Sequence, residues 1–168
     1  MPQEEKPIFT VDASGGITIL RINGRASYLT SAPVNSLFGH LLERGKCKFI
    51  VDFRNCVGMD STFLGILAGA AMKIRKKGPD GFLELCNLNE RNLELVRNLG
   101  LHRILTIIQD EKDSKIEGLS TGKSFESVDS RAVAPESVLE AHRNLIDADK
   151  SNAAKFEDVI KYLEKETG

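Results

Sequence analysis

The stretch that most constrains the fold of this chain runs from Lys48 to Gly65 and reads KFIVDFRNCVGMDSTFLG. An apolar run at Phe49–Phe53 predicts a buried strand. A turn is expected at Asn55–Gly58, and a helix is expected to begin at Asp60–Thr62, because the apolar residues that follow recur at helical spacing. The stretch therefore predicts a strand, a short loop and a helix start that carries hydroxyl groups.

The hydroxyl groups of Ser61 and Thr62 are expected in the first turn of this helix. The backbone N–H groups of a first turn have no partner within the helix, and the helix dipole favours negative charge there. A phosphate on Ser61 would therefore be accommodated at low cost. The alternative interpretation is that Asp60 or Ser61 serves only as the helix cap.

Strands and helices alternate along roughly the first two thirds of the chain. Two short strands, joined by the turn Asp12–Gly16, predict a hairpin, and the second strand is expected to break at Asn23–Gly24. Alternation after the hairpin implies parallel pairing with right-handed crossovers. The prediction is an α/β fold, a mixed sheet with packed helices. Strands are expected at 7–11, 17–22, 49–53, 82–86 and 105–108, and helices are expected to begin near Ser31, Ser61 and Asn89.

The residues around Ser61 resemble the signature of the STAS domain. The resemblance rests on Val51-Asp52-Phe53 followed by Met59-Asp60-Ser61-Thr62-Phe63-Leu64-Gly65, and the order of elements from about Pro7 to Asp110 agrees with it. The family includes the bacterial anti-sigma-factor antagonists, in which the serine after the aspartate is phosphorylated. The resemblance implies Ser61 as the phosphorylation site, with Thr62 as a second candidate acceptor. A bulky residue, Phe63, stands where the family usually has a small one.

The resemblance implies a binding module and not an enzyme. Such a module docks through the Ser61 helix face on an anti-sigma factor of the serine-kinase type, leaves it when the kinase phosphorylates Ser61, and is reset by a phosphatase. STAS-like subunits also serve in lipid-transport and scaffold assemblies, so the alternative is a non-switching subunit in which Ser61 only caps its helix. The residues expected to bind the partner are Asp52, Asp60, Ser61, Thr62, Phe63 and Gly65.

The last third of the chain has a different character. Residues 116–134 are polar and aperiodic, which is typical of a linker, and 135–168 contain two amphipathic helical patterns. Each helix is too short to be stable alone, so its apolar stripe must be buried on the other helix, on the rest of the chain or on another chain. We therefore predict a STAS domain at 1–115, a linker at 116–134, and a C-terminal helical hairpin at 135–168 that could supply a homodimer contact.

Composition and motifs exclude several other functions. A net charge of −1 gives no field that would recruit nucleic acid or an acidic membrane. The three cysteines lack CxxC spacing and indicate reduced cytosolic thiols. The chain shows neither a secretory signal nor a transmembrane run, so we expect a cytoplasmic protein. The segment Gly118–Ser124 resembles a phosphate-binding loop but is one residue short, which favours a flexible linker.

The three histidines offer neither a metal site nor a catalytic base. They lie on separate predicted elements without the spacing of metal ligands, so no metal or other cofactor is expected. His142 is assigned to the apolar face of the first C-terminal helix. No histidine is placed by sequence to activate Ser61, which argues against a hydrolase.

Overall fold

The computed structural model describes residues 7–109 and 125–168, and it confirms the predicted α/β class. The described strands form one sheet in the order β5-β4-β3-β2-β1-β6. The strands from β2 to β5 are parallel, whereas β1 pairs antiparallel with β2 and with β6. The elements are β1 (Phe9–Asp12), β2 (Thr18–Ala26), α1 (Ala32–Glu43), β3 (Lys48–Met59), α2 (Ser61–Lys77), β4 (Phe82–Cys86), α3 (Glu90–Asn98), a 3-10 turn (Leu101–Arg103), β5 (Thr106–Ile108), β6 (Glu126–Val128), α4 (Pro135–Ala148) and α5 (Asn152–Thr167).

The central strand β3 is longer than the sequence predicted. The turn expected at Asn55–Gly58 is wrong, because these residues continue β3 to Met59. The break expected at Asn23–Gly24 is also wrong, because β2 continues through two register shifts and pairs with the extended part of β3. Gly24 has a φ of 137°, a conformation that residues with a side chain rarely adopt, so β2 can bend there without ending. The long strand leads directly into Asp60 and α2.

The two faces of the sheet differ in what covers them. Phe49, Val51 and Phe53 of β3 belong to the main core, to which α1, α2, α3 and α4 also contribute. Successive side chains of a strand point to opposite faces. Ile50 therefore lies on the other face, in a smaller apolar cluster with Ile19. Asp52 points to that face as well, away from α2.

The C-terminal hairpin, which we define as α4 and α5, packs against the rest of its own chain. Leu145 is fully buried, and it belongs to the main core together with Ala141. The Asn152 side-chain amide donates to the carbonyl oxygens of Leu99 at 2.9 Å and of Leu145 at 2.8 Å. The apolar stripes of α4 are therefore buried within the chain, and a homodimer through these helices stays a prediction.

The region predicted as a linker contains one unforeseen element. The short strand β6 lies within 116–134 and adds to the sheet beside β1. The predicted boundary at residue 115 and the loop-like segment Gly118–Ser124 lie outside the described residues. Among the helices that the structure describes, none combines the length and the apolar character needed to cross a bilayer.

Candidate functional site

Ser61 is the first residue of α2, at the point where the chain leaves the sheet. Asp60 is the residue that caps this helix, since its Oδ1 accepts a hydrogen bond from the Phe63 N–H at 3.0 Å. The second oxygen, Oδ2, accepts from the N–H of Tyr28 in the β2–α1 loop at 2.8 Å. Asp60 therefore fixes both the helix start and the neighbouring loop, and the Ser61 hydroxyl is not required as a cap.

Replacing Asp60 with alanine is expected to lower the free energy of unfolding by about 1–2 kcal/mol, because the cap is lost and the Tyr28 N–H loses its partner. Urea denaturation followed by circular dichroism measures the change. Asp80→Ala is the matched control, since Asp80 is exposed. Equal stability of the two variants would contradict the capping role.

The hydroxyl of Ser61 contacts a residue of the C-terminal hairpin. Its Oγ lies 2.9 Å from Nε2 of His142, and Nδ1 of the same ring lies 2.7 Å from the carbonyl oxygen of Val138. A carbonyl only accepts, so Nδ1 carries a hydrogen; in the neutral ring Nε2 is then the acceptor and Ser61 donates. The imidazole is 3% exposed and packs edge-on against Phe156, with ring centroids 5.1 Å apart. The hydroxyl of Ser61 is thus held by α4 while Ser61 itself stays partly exposed.

We call the side of α2 that carries Ser61, Gly65 and Gly69 the α2 face. α4 lies so close to it that a Cβ atom on Gly65 would be 2.2 Å from the Ala141 carbonyl oxygen. A Cβ on Gly69 would be 2.4 Å from Nδ2 of Asn144, and that nitrogen donates to the Gly65 carbonyl oxygen at 3.3 Å. The two helices therefore meet without space between them, and glycine at position 65 permits the contact.

Two of the predicted partner-binding side chains are not presented at the surface. Thr62 is 4% exposed, and Phe63 is fully buried with its ring against Phe9 and Phe53, at centroid distances of 6.1 and 6.5 Å. Their side of α2 is buried in the protein here, and a partner-binding role for these side chains stays a prediction. Gly65, also predicted as a contact, is covered by α4.

Asp52 does not belong to the site around Ser61. Its Oδ1 accepts from the Arg54 N–H at 3.0 Å and from the Asn87 side-chain amide at 2.8 Å, and its Oδ2 pairs with Nε of Arg21 at 3.4 Å. The Arg21 guanidinium in turn lies over the ring of Phe125, 4.1 Å from the centroid. These partners lie on the face of the sheet opposite α2, and a partner-binding role for Asp52 stays a prediction.

Three apolar side chains that the sequence analysis missed are exposed near the start of α2. Tyr28 is 49% exposed, Leu29 is 59% exposed, and Val57 is 69% exposed. Tyr28 and Leu29 follow β2, and Val57 lies near the end of β3. All three are therefore at the carboxyl ends of these two central strands, where Asp60 caps α2. The available signal was the presence of large apolar residues between predicted elements, at Tyr28 and Leu29 and in the predicted turn at Val57. Exposed apolar residues grouped at one edge are typical of a protein interaction surface.

The described residues contain no group of histidine, cysteine and acidic side chains that could hold a metal ion. The strand that leads into the site, β3, carries one thiol among its residues, that of Cys56. Its Sγ donates to the Gly58 carbonyl oxygen at 3.3 Å. Burial raises the pKa of the Cys56 thiol above its ordinary value. A thiol in this environment is protonated at neutral pH and is a poor nucleophile.

Comparisons with known proteins agree on the fold. A family model described as the STAS domain matches residues 9–114. The anti-sigma factor antagonist SpoIIAA in its unphosphorylated form is similar in structure, with a TM-score of 0.54 at 15% identity over 66% of this chain and 96% of that one. The phosphorylated Bacillus cell fate determinant SpoIIAA gives a TM-score of 0.53 at 16% identity, covering 67% and 99% of the two chains.

A third similar structure is a candidate anti-sigma factor antagonist from Thermotoga maritima. Its TM-score is 0.53 at 22% identity, covering 65% of this chain and 92% of that one. No curated protein sequence shows significant similarity to this chain. At these identities the structural likeness establishes the fold, and the assignment of a function depends on the site.

Proposed function

This chain belongs to the STAS domain family, and from that premise we propose that it is an anti-sigma-factor antagonist whose binding is switched by phosphorylation of Ser61. The observation that carries the proposal is the position of Ser61 as the first residue of α2, partly exposed and next to the Asp60 cap. The positive end of the helix dipole at this turn would stabilise a phosphate on the serine.

The edge of the sheet beside Ser61 supports docking on a protein partner. Tyr28, Leu29 and Val57 offer exposed apolar area there, and Asp60 ties the Tyr28 loop rigidly to the helix. We propose an anti-sigma factor of the serine-kinase type as the partner, with a phosphatase that removes the phosphate. Such a partner would supply the ATP and the catalysis, so this chain needs no enzymatic activity or cofactor of its own.

The switch follows from the charge that phosphorylation adds. A phosphoserine carries about −1.5 to −2 charges at neutral pH, and here it would stand beside the carboxylate of Asp60. Within the free protein the helix start offsets part of this charge, whereas an interface formed around a neutral hydroxyl would bury it unpaired. Phosphorylation of Ser61 therefore disfavours the complex. The proposed setting is cytoplasmic and includes neither nucleic acid nor a membrane.

Replacing Ser61 with aspartate is expected to weaken the complex with the anti-sigma kinase by about tenfold or more, which is about 1.4 kcal/mol. Ser61→Ala should retain binding but accept no phosphate, and Ser36→Asp is the control because Ser36 lies exposed on α1. Isothermal titration against each serine-kinase anti-sigma factor encoded in the source genome measures the three affinities. Equal affinities of Ser61→Asp and Ser36→Asp would contradict the switch.

One observation favours the alternative of a non-switching STAS subunit in a lipid-transport or scaffold assembly. The Ser61 hydroxyl already has a partner in His142, so it could serve only to hold α4. In that case Ser61 would carry no phosphate in the cell, and Ser61→Asp would alter the stability of the protein without altering its choice of partner.

A further inference from the structure

We propose that the C-terminal hairpin occupies the docking face of its own chain, and that phosphorylation of Ser61 releases it. The inference rests on the proposed function for the role of Ser61. It adds that the C-terminal hairpin, which lies outside the STAS domain, competes with a partner protein for the α2 face. The residues that carry it are Ser61 and Gly65 on the α2 face, and Ala141 and His142 on α4.

The docked hairpin excludes any second protein from the α2 face. At Gly65 the two helices are in backbone contact, since even one added carbon would overlap the carbonyl group of Ala141. One turn earlier His142 covers the hydroxyl of Ser61. A kinase that bound this face, or that transferred phosphate to the Ser61 oxygen, would need the space that α4 fills. Kinase docking and hairpin docking are therefore mutually exclusive.

The hairpin can leave without breaking the sheet. Neither α4 nor α5 contributes to the pairing of strands, and α4 is preceded by an extended segment whose Val133 N–H donates to the Tyr28 carbonyl oxygen at 2.6 Å. Among the described residues, its other polar contacts with the domain include the Asp149–Arg103 ion pair at 3.8 Å and hydrogen bonds from Asn152 to Leu99, from Lys155 to Asn98 and from Asn144 to Gly65. The proposal assigns this helical pair two positions, the docked one seen here and a released one.

A phosphate on Ser61 would disrupt the hydrogen bond between Ser61 and His142 that helps to hold α4 on α2. With the His142 ring neutral, phosphorylation removes the hydroxyl hydrogen that Ser61 donates to it, and the Oγ that remains as an ester oxygen can only accept. The phosphoryl group is bonded to the Oγ atom that now lies 2.9 Å from Nε2, so it adds bulk directly beside the imidazole. Since α4 is in backbone contact at Gly65 and its imidazole is buried against Phe156, we expect α4 to move away to make room for the added group.

Coupling between the two events is reciprocal. If phosphorylation weakens hairpin docking, a docked hairpin must oppose phosphorylation by the same free energy. The unmodified chain would then present its α2 face only in the fraction of molecules whose hairpin is released. The released state after phosphorylation would expose the phosphoserine to a phosphatase.

The first test requires no kinase. Phosphoserine is incorporated at position 61 of the full chain by genetic code expansion, and hydrogen–deuterium exchange is followed by mass spectrometry. We expect the amides of Pro135–Ala148 to exchange at least tenfold faster than in the unmodified chain, while those of β3 do not change. Phosphoserine at position 36 is the control. Equal or slower exchange of α4 with phosphate at position 61 would overturn the proposal.

The second test locks the hairpin in place. An ideal Cβ on Gly69 lies 3.2 Å from Cγ of Asn144, so the double variant Gly69→Cys, Asn144→Cys is close to disulfide geometry. With a serine kinase that phosphorylates the unmodified chain, the oxidised variant should accept phosphate at least tenfold more slowly, and reduction should restore the rate. An unchanged rate in the oxidised variant would overturn the occlusion. Failure of every kinase to act on the wild-type chain, with the exchange result as expected, would reject the proposed function and leave the hairpin release standing.

Discussion

Replacement of Phe63 by alanine is expected to lower the free energy of unfolding by about 3–5 kcal/mol. The ring is fully buried between Phe9 of β1 and Phe53 of β3. The backbone around it belongs to one helix and to two strands that each pair with β2, so the surroundings can relax only partly into the space that the ring leaves. Guanidinium denaturation, monitored by circular dichroism, measures the loss.

Val57→Ala is the matched control for this prediction. Val57 is also apolar and lies on the neighbouring strand, but its side chain is 69% exposed, so its truncation should change the stability by less than about 0.5 kcal/mol. A loss below about 1 kcal/mol for Phe63→Ala would mean that the ring does not support the core. Phe63 would then return to the role of a surface contact that the sequence suggested.

Replacement of Gly65 by leucine is expected to separate α4 from α2. A Cβ atom there would lie 2.2 Å from the oxygen and 2.5 Å from the carbon of the Ala141 carbonyl group, and backbone atoms cannot rotate aside. Undocking would expose Leu145 and the apolar residues of the hairpin that pack against the core, among them Val138 and Phe156. A buried leucine is worth about 1.5–3 kcal/mol, so we expect a total loss of at least about 3 kcal/mol.

Helix propensity acts against the expected loss of stability, so a loss could not be attributed to weakening of α2 itself. Leucine is a better helix former than glycine by up to about 1 kcal/mol, so α2 itself should gain from the change. The control is Gly39→Leu in α1, where no atom lies within 4 Å of an added Cβ. Denaturation gives the stability of both variants, and hydrogen exchange gives the protection of α4. If Gly65→Leu kept α4 protected and matched the control in stability, the close contact between the helices would be refuted.

The alternation of strands and helices could be predicted from the sequence because each element carries its own periodicity and capping residues. Asn89 illustrates this, since its side chain accepts from the Asn92 N–H at 2.7 Å, as its position before α3 predicts. The full length of β3 could not be predicted in the same way. Asn23 and Asn55 are turn-forming residues by type, yet here they hydrogen-bond to each other at 3.2 Å across two paired strands. Pairing with a neighbouring strand overrides local preference.

The contact between Ser61 and His142 could not be predicted from local sequence patterns, for a different reason. The two residues are 81 positions apart, and their meeting depends on which surface the C-terminal hairpin packs against. The apolar stripe of α4 predicted that it would be buried, but not where. A signal was nevertheless present, because Gly65 and Gly69 lie one turn apart on α2 and small residues at that spacing permit another helix to approach closely.

Phosphosite mapping of the protein isolated from its own cells tests the central claim most directly. Intact-mass and peptide mass spectrometry should find one phosphate per chain at most, on Ser61, and none in cells that carry Ser61→Ala. Phosphate on another residue such as Thr62, or an unmodified Ser61 under every growth condition sampled, would contradict the account.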